Sequence, residues 1–134
     1  ASFAGALMGL EREYKGKPAG LKTYSLVALG AATFIIISIL FESAESTDMT
    51  RIVGQVVVGV GFLGAGVILR DKDNTVVRGL ATSATIWCSA AAGCLAGFGL
   101  YLPLVALTIF VILINLIFGY LNGKLDTFAK NSSQ

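Results

Sequence analysis

Four long apolar runs without a single Asp, Glu, Lys or Arg limit what this 134-residue chain can fold into. An α-helix rises 1.5 Å per residue, so 18 residues cover about 27 Å, close to the roughly 30 Å hydrocarbon core of a bilayer. The runs show no strand-like alternation of polar and apolar residues, and each is predicted to be a transmembrane helix. They extend over 26–41, 52–69, 80–98 and 100–121.

The composition agrees with a membrane protein and excludes several other classes. Hydrophobic residues make up 55% of the chain and charged residues 13%, whereas a soluble domain is about a quarter charged. Histidine, the commonest catalytic base and metal ligand, is absent. Two cysteines are too few for a disulfide framework or a four-cysteine zinc site. The net charge of +2 does not indicate a nucleic-acid partner.

The first ten residues, ASFAGALMGL, are apolar but reach across only about half a bilayer as a helix. They lack the basic start of a signal peptide, and we interpret them as the second half of a first membrane helix. The predicted fold class is an all-α, polytopic transmembrane helical bundle of five helices, the first shortened at its start. The predicted transmembrane domain is 1–123, with a cytoplasmic tail at 124–134 and helices at about 1–13, 24–41, 52–69, 80–98 and 100–122.

The basic residues predict the orientation in the membrane. When the loops alternate across five spans, nine of the ten Lys and Arg fall on one face and only Arg51 falls on the other. The positive-inside rule makes the face with nine basic residues cytoplasmic. The N-terminus is then outside and the C-terminus is inside.

Glycine and other small residues predict where helices pack closely. Lipid offers no hydrophobic drive between helices, so association relies on close backbone approach, which small residues permit. The glycine-rich helices at 1–13, 52–69 and 80–98 are therefore predicted to form the packed centre, whereas the bulky runs FIIISILF and LTIFVILINLIF are predicted to face lipid. The predicted helix-packing residues are Gly54, Gly59, Gly61, Gly64, Gly66, Gly93 and Gly97.

Three hydroxyl residues, Thr82, Thr85 and Ser89, share one face of the predicted helix at 80–98. They bond either to carbonyls of their own helix or to a solute within the bundle.

Charged residues at the membrane boundary have two interpretations as well. Glu11 or Glu13 is expected either to pair with Arg70 or Arg78, since unpaired charges at membrane depth are costly, or to extend to the interface separately. In the loop on the opposite face, Glu42, Glu45 and Asp48 either gather a hydrated Mg²⁺ ion or form a solvated acidic segment.

Several stretches together resemble the MgtC/SapB family of bacterial inner-membrane proteins. They are Gly9 to Glu13 (GLERE), Ala19 to Thr23 (AGLKT), Gly59 to Arg70 (GVGFLGAGVILR) and Val77 to Trp87 (VRGLATSATIW). Three positions depart from the usual family pattern: Lys22, Tyr24 and Ala81. The chain resembles a short, SapB-like form without the cytosolic C-terminal domain of longer members.

The resemblance implies a multi-pass plasma-membrane protein, associated in some members with growth at low Mg²⁺. It implies a regulator that acts through membrane partners, including the proton-translocating ATP synthase. The functional and ion-pair candidates that it maps onto this chain are Glu11, Arg12, Lys22, Thr23, Arg51, Gln55, Arg70, Arg78, Thr82 and Thr85.

We therefore expect a non-enzymatic regulator that associates with itself or a membrane partner, is linked to Mg²⁺ limitation or stress, and forms a homo-oligomer in membrane lipid. No cofactor, catalytic residue or nucleic-acid partner is expected, and the binding of Mg²⁺ stays open. The alternative is a transporter or channel for Mg²⁺ or another small ion or solute. A glycine-dense helix beside a Thr/Ser-rich one favours that alternative, whereas the absence of ionisable residues from the complete spans disfavours it.

Overall fold

The computed structural model describes residues 1–17, 19–41, 48–70 and 77–131. A two-residue antiparallel pair, β1 (Leu69–Arg70) with β2 (Val77–Arg78), is the strand structure among them. Four of the helices are long and apolar enough to cross a membrane, the last over Tyr101–Asn122. The predicted all-α membrane bundle is therefore confirmed. Its five helices are α1 (Ser2–Tyr14), α2 (Leu21–Leu40), α3 (Met49–Gly66), α4 (Leu80–Gly97) and α5 (Tyr101–Asn131).

The end of α1 folds back so that α2 starts beside it. Gly16 adopts a φ of 58°, a left-handed conformation that glycine takes without strain. The N–H of Lys17 donates to the carbonyl of Arg12 (2.9 Å) and that of Gly16 to the carbonyl of Glu13 (3.0 Å). These are the two bonds of a Schellman motif, which satisfies the last carbonyls of a helix. The turn holds the last turn of α1 against the first turn of α2.

The predicted helix boundaries lie within three residues of the observed ones, except at the end of α5. Gly99, with a φ of 72°, separates α4 from α5 where the sequence predicts a break. The predicted end of the last helix near 122 is too early, because α5 continues to Asn131. The residues that follow 122 include Lys, Leu and Ala and no proline, and they sustain a helix outside the apolar span.

The centre of the bundle is formed by α1, α2 and α4. In α4, a Cβ on Gly93 would lie 2.8 Å from the Cβ of Ala31, and one on Gly97 would lie 2.7 Å from the Cβ of Ile35. In α1, a Cβ on Gly9 would lie 2.9 Å from the carbonyl oxygen of Gly20, at the start of α2. Glycine therefore allows both neighbours to approach the backbone of α2 closely.

The prediction that the glycine-rich α3 belongs to the packed centre is wrong for the single chain. Only Val60 and Gly64 of this helix are buried. Gly64 approaches α4, since a Cβ there would lie 2.5 Å from Ser83 Oγ. The place of α3 in the centre is taken by α2, whose small Ala28, Ala31 and Ala32 leave room for the glycines of α4. The other four glycines of α3 have open space around them: Gly54, Gly59, Gly61 and Gly66.

The two bulky runs are exposed over most of their length, as predicted for lipid-facing segments. Within FIIISILF, Phe34 is 60% exposed and Leu40 is 73% exposed, whereas Ile35 is fully buried against α4. In α5, Phe110 is 64% exposed. These helices present branched and aromatic side chains to the surroundings of the chain.

Candidate functional site

A buried arginine links the end of α1 to the start of α4. Arg12 lies in the last turn of α1, yet only 7% of it is exposed. Its Nη2 donates a hydrogen bond to Oγ1 of Thr82, in the first turn of α4. Burying a charge is costly unless it is paired or well hydrogen-bonded. The arginine therefore marks this boundary as the place in the bundle where polar chemistry is concentrated.

Tyr24 extends the contact to α2. Its hydroxyl donates to the carbonyl oxygen of Thr82 (3.3 Å), and its own carbonyl accepts a bond from Ser89 Oγ (2.7 Å). Both Tyr24 and Ser89 are fully buried. With the bond from Arg12, these bonds join α1, α2 and α4 at two points that lie two turns apart on α4. Together with Thr85, the residues form what we call the polar network: Arg12, Tyr24, Thr82, Thr85 and Ser89.

The hydroxyl face of α4 bonds to its own helix at one residue, as one of the two interpretations expects, and to neighbouring helices at the other two. Thr85 donates to the carbonyl of Ala81 in its own helix (2.8 Å), as membrane threonines commonly do. Thr82 and Ser89 instead bond to α1 and α2. Thr82, Thr85 and Ser89 are all buried, so the predicted common face points into the bundle.

Neither Glu11 nor Glu13 pairs with Arg78, so that arm of the two alternatives left open by the sequence is wrong. Glu11 pairs with Lys15 one helical turn later (Oε1–Nζ, 2.5 Å), the only ion pair in the described part of the chain. Glu13 Oε2 accepts a bond from the N–H of Leu21 (3.1 Å). Arg78 is exposed. Both carboxylates thus bond to groups within eight residues along the chain, and these bonds do not require a distant loop to fold against α1. The side chain of Arg70 is not among those that the structure describes.

The Glu11–Lys15 pair packs against α5. A Cβ on Gly119 would lie 2.6 Å from Lys15 Nζ and 3.5 Å from Glu11 Oε1, so glycine makes room for the pair. Two charged atoms at this boundary, Glu11 Oε2 and Arg12 Nε, are buried without a hydrogen-bond partner among the described residues. Their bonding capacity is available to water or to a ligand.

The other sequence candidates do not join the polar network. Lys22 is exposed and Thr23 half-buried in the first turn of α2. Arg51 and Gln55 are exposed in the first half of α3, whose start meets the end of α2 through a bond from Ser38 Oγ to Met49 Sδ (3.1 Å). These two residues therefore belong to the opposite end of the bundle.

The acidic loop is described only at Asp48, because Glu42 and Glu45 lie outside the described residues. Asp48 caps α3, accepting bonds at Oδ1 from Thr50 N–H (2.9 Å) and Thr50 Oγ1 (2.5 Å). These bonds favour the charged carboxylate and lower the pKa of Asp48 below its usual value. The described structure thus gives Asp48 a role at the helix start.

The sequence does not single out Tyr24 of the polar network or Lys15 beside it. Tyr24 is only a departure from the family pattern, whereas Ser89 lies on the predicted hydroxyl face of α4. Lys15 is one of the nine basic residues that predict the orientation, although its spacing of four from Glu11 is the standard spacing of a helical ion pair.

Two apolar grooves flank α3. One, of about 540 Å³, lies between α2 and α3, and Gln55 is the polar residue in its lining. The other, of about 420 Å³, lies between α3 and α4 and is bordered by Trp87. Among the residues described, no group of three His, Cys, Asp or Glu side chains is placed to hold a metal ion. The grooves are shaped for apolar chains or for another helix.

Comparison of the sequence with known proteins gives matches over most of the chain. The sequence profile of the MgtC family matches residues 1–124. The chain is 48% identical over 115 residues to Protein MgtC of Brucella abortus, covering 86% of this chain and 47% of that protein. It is also 48% identical over 117 residues to Protein MgtC of Salmonella typhimurium, covering 87% of this chain and 48% of that protein.

The chain thus spans about half the length of the curated relatives it matches. No solved structure matches it. The family profile covers all five helices up to residue 124, including every member of the polar network. The chain belongs to the MgtC family.

Proposed function

We propose that this protein is a non-enzymatic regulator of the bacterial inner membrane that acts by helix–helix association with a second copy or with a membrane partner. The contact surface is the outward face of α3, defined as Gly54, Val58, Gly61, Phe62 and Ala65. All five residues are exposed in the single chain.

The observation that carries the proposal is the open space around the glycines of α3. Nothing in the described part of the chain lies within 4 Å of a Cβ placed on Gly54 or Gly61. Glycine inside a helix costs about 0.5–1 kcal/mol relative to alanine, and close packing repays this cost at Gly93 and Gly97 but not here. Small residues at helix surfaces allow close approach in lipid, so an additional helix would restore that packing.

The rest of the chain supports a role in assembly. The polar network joins α1, α2 and α4. The hydroxyl groups of Thr82, Tyr24 and Ser89 bond to protein atoms in it, where a solute would otherwise have bound them. In this proposal α1, α2 and α4 form a fixed unit that presents α3 to its partner. The resemblance extends the proposal to regulation under Mg²⁺ limitation, with the proton-translocating ATP synthase as a candidate partner.

The proposed orientation follows from the charges. The end of the bundle that carries Arg12, Lys22 and Arg78 lies in the cytoplasmic leaflet, as the positive-inside rule requires. The N-terminus is then outside, and the extended end of α5 is inside.

Energy transfer between labelled copies in liposomes tests the proposal, with Gly61→Leu compared with Gly61→Ala. The alanine variant keeps a small side chain and is expected to keep at least half of the transfer. The leucine variant blocks close approach and is expected to lose most of it. The same pair of variants, expressed in a bacterium that needs the protein at low Mg²⁺, should separate in growth. The proposal is abandoned if Gly61→Leu changes neither association nor growth.

A further inference from the structure

Two helices, α2 and α4, begin side by side at the same end of the bundle, but opposite charges lie at their N-termini. At α2 the carboxylate of Glu13 accepts the N–H of Leu21. A negative charge there is favoured by the helix dipole. At α4 the charged side chain bonded to the first turn, among the described residues, is the guanidinium of Arg12, at Thr82. A cation at a helix N-terminus is disfavoured for the same reason.

The first turn of α4 also has N–H donors without a partner among the residues that the structure describes. Its N-cap is Gly79, which has no side chain and makes no side-chain cap bond. The first N–H groups of a helix have no partner within it, so those of the first turn of α4 are available to a ligand. Gly79 has a φ of 94°, and a Cβ there would run into the carbonyl oxygen of Val67. A capping side chain therefore cannot be accommodated at this position.

The buried arginine points independently to an anion. Arg12 is 93% buried, and its Nε has no hydrogen-bond partner in the described part of the chain. Neither neighbouring carboxylate pairs with it among the described residues: Glu11 pairs with Lys15 through Oε1 and has no partner at Oε2, and Glu13 Oε2 accepts the N–H of Leu21. Arg78, immediately before Gly79, is exposed and adds a second positive charge. Free N–H groups, the helix dipole and two cations together form a site of the kind that binds phosphate.

The surface below the first turn is apolar. Leu80 (59% exposed), Ala84 and Trp87 (50% exposed) follow one face of α4 at spacings of four and three. This strip extends about 10 Å along the helix and ends at the groove between α3 and α4. A phosphate at the first turn of α4 thus lies directly above a track for a hydrocarbon chain.

We propose that the first turn of α4, with Arg12 and Arg78, binds the phosphate of an anionic phospholipid, whose acyl chain follows Leu80, Ala84 and Trp87. The headgroup neutralises the buried charge that the described part of the chain leaves without a carboxylate. The proposal does not depend on association between copies.

Native mass spectrometry of the detergent-purified protein tests the proposal, because it counts bound lipids directly. Phosphatidylglycerol is compared with phosphatidylcholine of the same chains and with inorganic phosphate. We expect phosphatidylglycerol to bind about tenfold more tightly than either, since a net charge and an acyl chain both contribute. Thermal unfolding in the same detergent should show a rise in Tm only with phosphatidylglycerol.

The matched variants are Arg78→Gln and Lys22→Gln, which each remove one exposed charge beside one of the two helix starts. Arg78→Gln should weaken phosphatidylglycerol binding about tenfold, whereas Lys22→Gln, beside the start already served by Glu13, should leave it within about twofold. Equal weakening by the two variants, or none, overturns the site at α4. Equal affinity for phosphatidylcholine overturns the requirement for an anion. Equal affinity for inorganic phosphate overturns the assignment of the bound phosphate to a lipid headgroup.

Discussion

The guanidinium of Arg12 donates to the hydroxyl of Thr82, a residue 70 positions later in the chain. The contact joins the last turn of one helix to the first turn of another and is buried on both sides. Its acceptor is neutral, so the charge of Arg12 is solvated by the protein without being cancelled. This bond therefore links α1 directly to α4, beside the bonds of Tyr24 and Ser89 that link α2 to α4.

Removing the Thr82 hydroxyl should destabilise the bundle more than the loss of a typical interhelical hydrogen bond in a membrane protein does. Thr82→Val keeps the shape of the side chain but leaves the buried guanidinium without its acceptor. We expect a loss of about 2 kcal/mol in the free energy of unfolding, because hydrogen bonds to charged groups are the stronger ones. Unfolding by SDS in mixed micelles measures the change. Thr82→Ser restores an acceptor and should recover most of the loss; equal losses in the two variants would contradict the assignment.

The bond from Ser89 to the carbonyl of Tyr24 should contribute less. Ser89→Ala is expected to cost about 0.6–1 kcal/mol, the range of interhelical hydrogen bonds in membranes. Thr108→Val is the control, because Thr108 is also buried but donates to the carbonyl of Leu104 in its own helix (2.7 Å). The same micelle titration should find the control close to the unchanged protein. If both variants lose the same amount, Ser89 does not link the two helices.

Alanine substitutions at Gly93 and Gly59 are expected to change the stability of the bundle in opposite directions. A Cβ on Gly93 would run into the carbonyl oxygen of Ala28, so Gly93→Ala must push α4 away from α2, at about 1–3 kcal/mol. Gly59 in α3 has open space, and Gly59→Ala should be neutral or stabilise the helix by up to about 1 kcal/mol. Unfolding of the two variants under dilute, monomeric conditions checks the signs. A neutral Gly93→Ala would show that α2 and α4 do not pack as described.

The Asp48 cap should make the stability of the first turn of α3 depend on pH. Bonds from Thr50 lower the pKa of Asp48 below its ordinary value of 3.8. The stabilisation is therefore present above about that pH and is lost as the pH falls through the lower value in the folded protein. Hydrogen exchange at the Thr50 amide should accelerate relative to its intrinsic rate over that range. Asp48→Asn still caps the helix, so its exchange should follow the intrinsic rate; the same acceleration in the asparagine variant would assign the effect to another group.

The helices could be predicted from the sequence because a bilayer admits few alternatives. Runs of about 18 uncharged residues determine the spans, and Gly99 marks the break between α4 and α5. The packing partners could not be predicted in the same way. Its glycines make α3 a candidate for the centre. The small residues Ala28, Ala31 and Ala32 make α2 a candidate as well, and the sequence does not show which of the two packs against α4 more closely.

The candidate site was partly predictable for a similar reason. The spacing of Thr82, Thr85 and Ser89 fixes their common face, since helical periodicity is a local property. Which side chain they meet depends on the turn at Gly16, which sets the direction of α2 relative to α1. The pairing of Glu11 with Arg78 failed because Lys15 was nearer along the same helix.

Spin labels on single cysteines, in a protein with Cys88 and Cys94 replaced, measure most directly whether another helix covers the outward face of α3. Val58→Cys (69% exposed) is compared with Phe110→Cys on α5 (64% exposed), since the two positions are similarly exposed in the single chain. In native-like membranes we expect the label at 58 to be immobile and shielded from dissolved oxygen, and the label at 110 to stay accessible. Equal accessibility at the two positions, unchanged by dilution with lipid, would contradict the account.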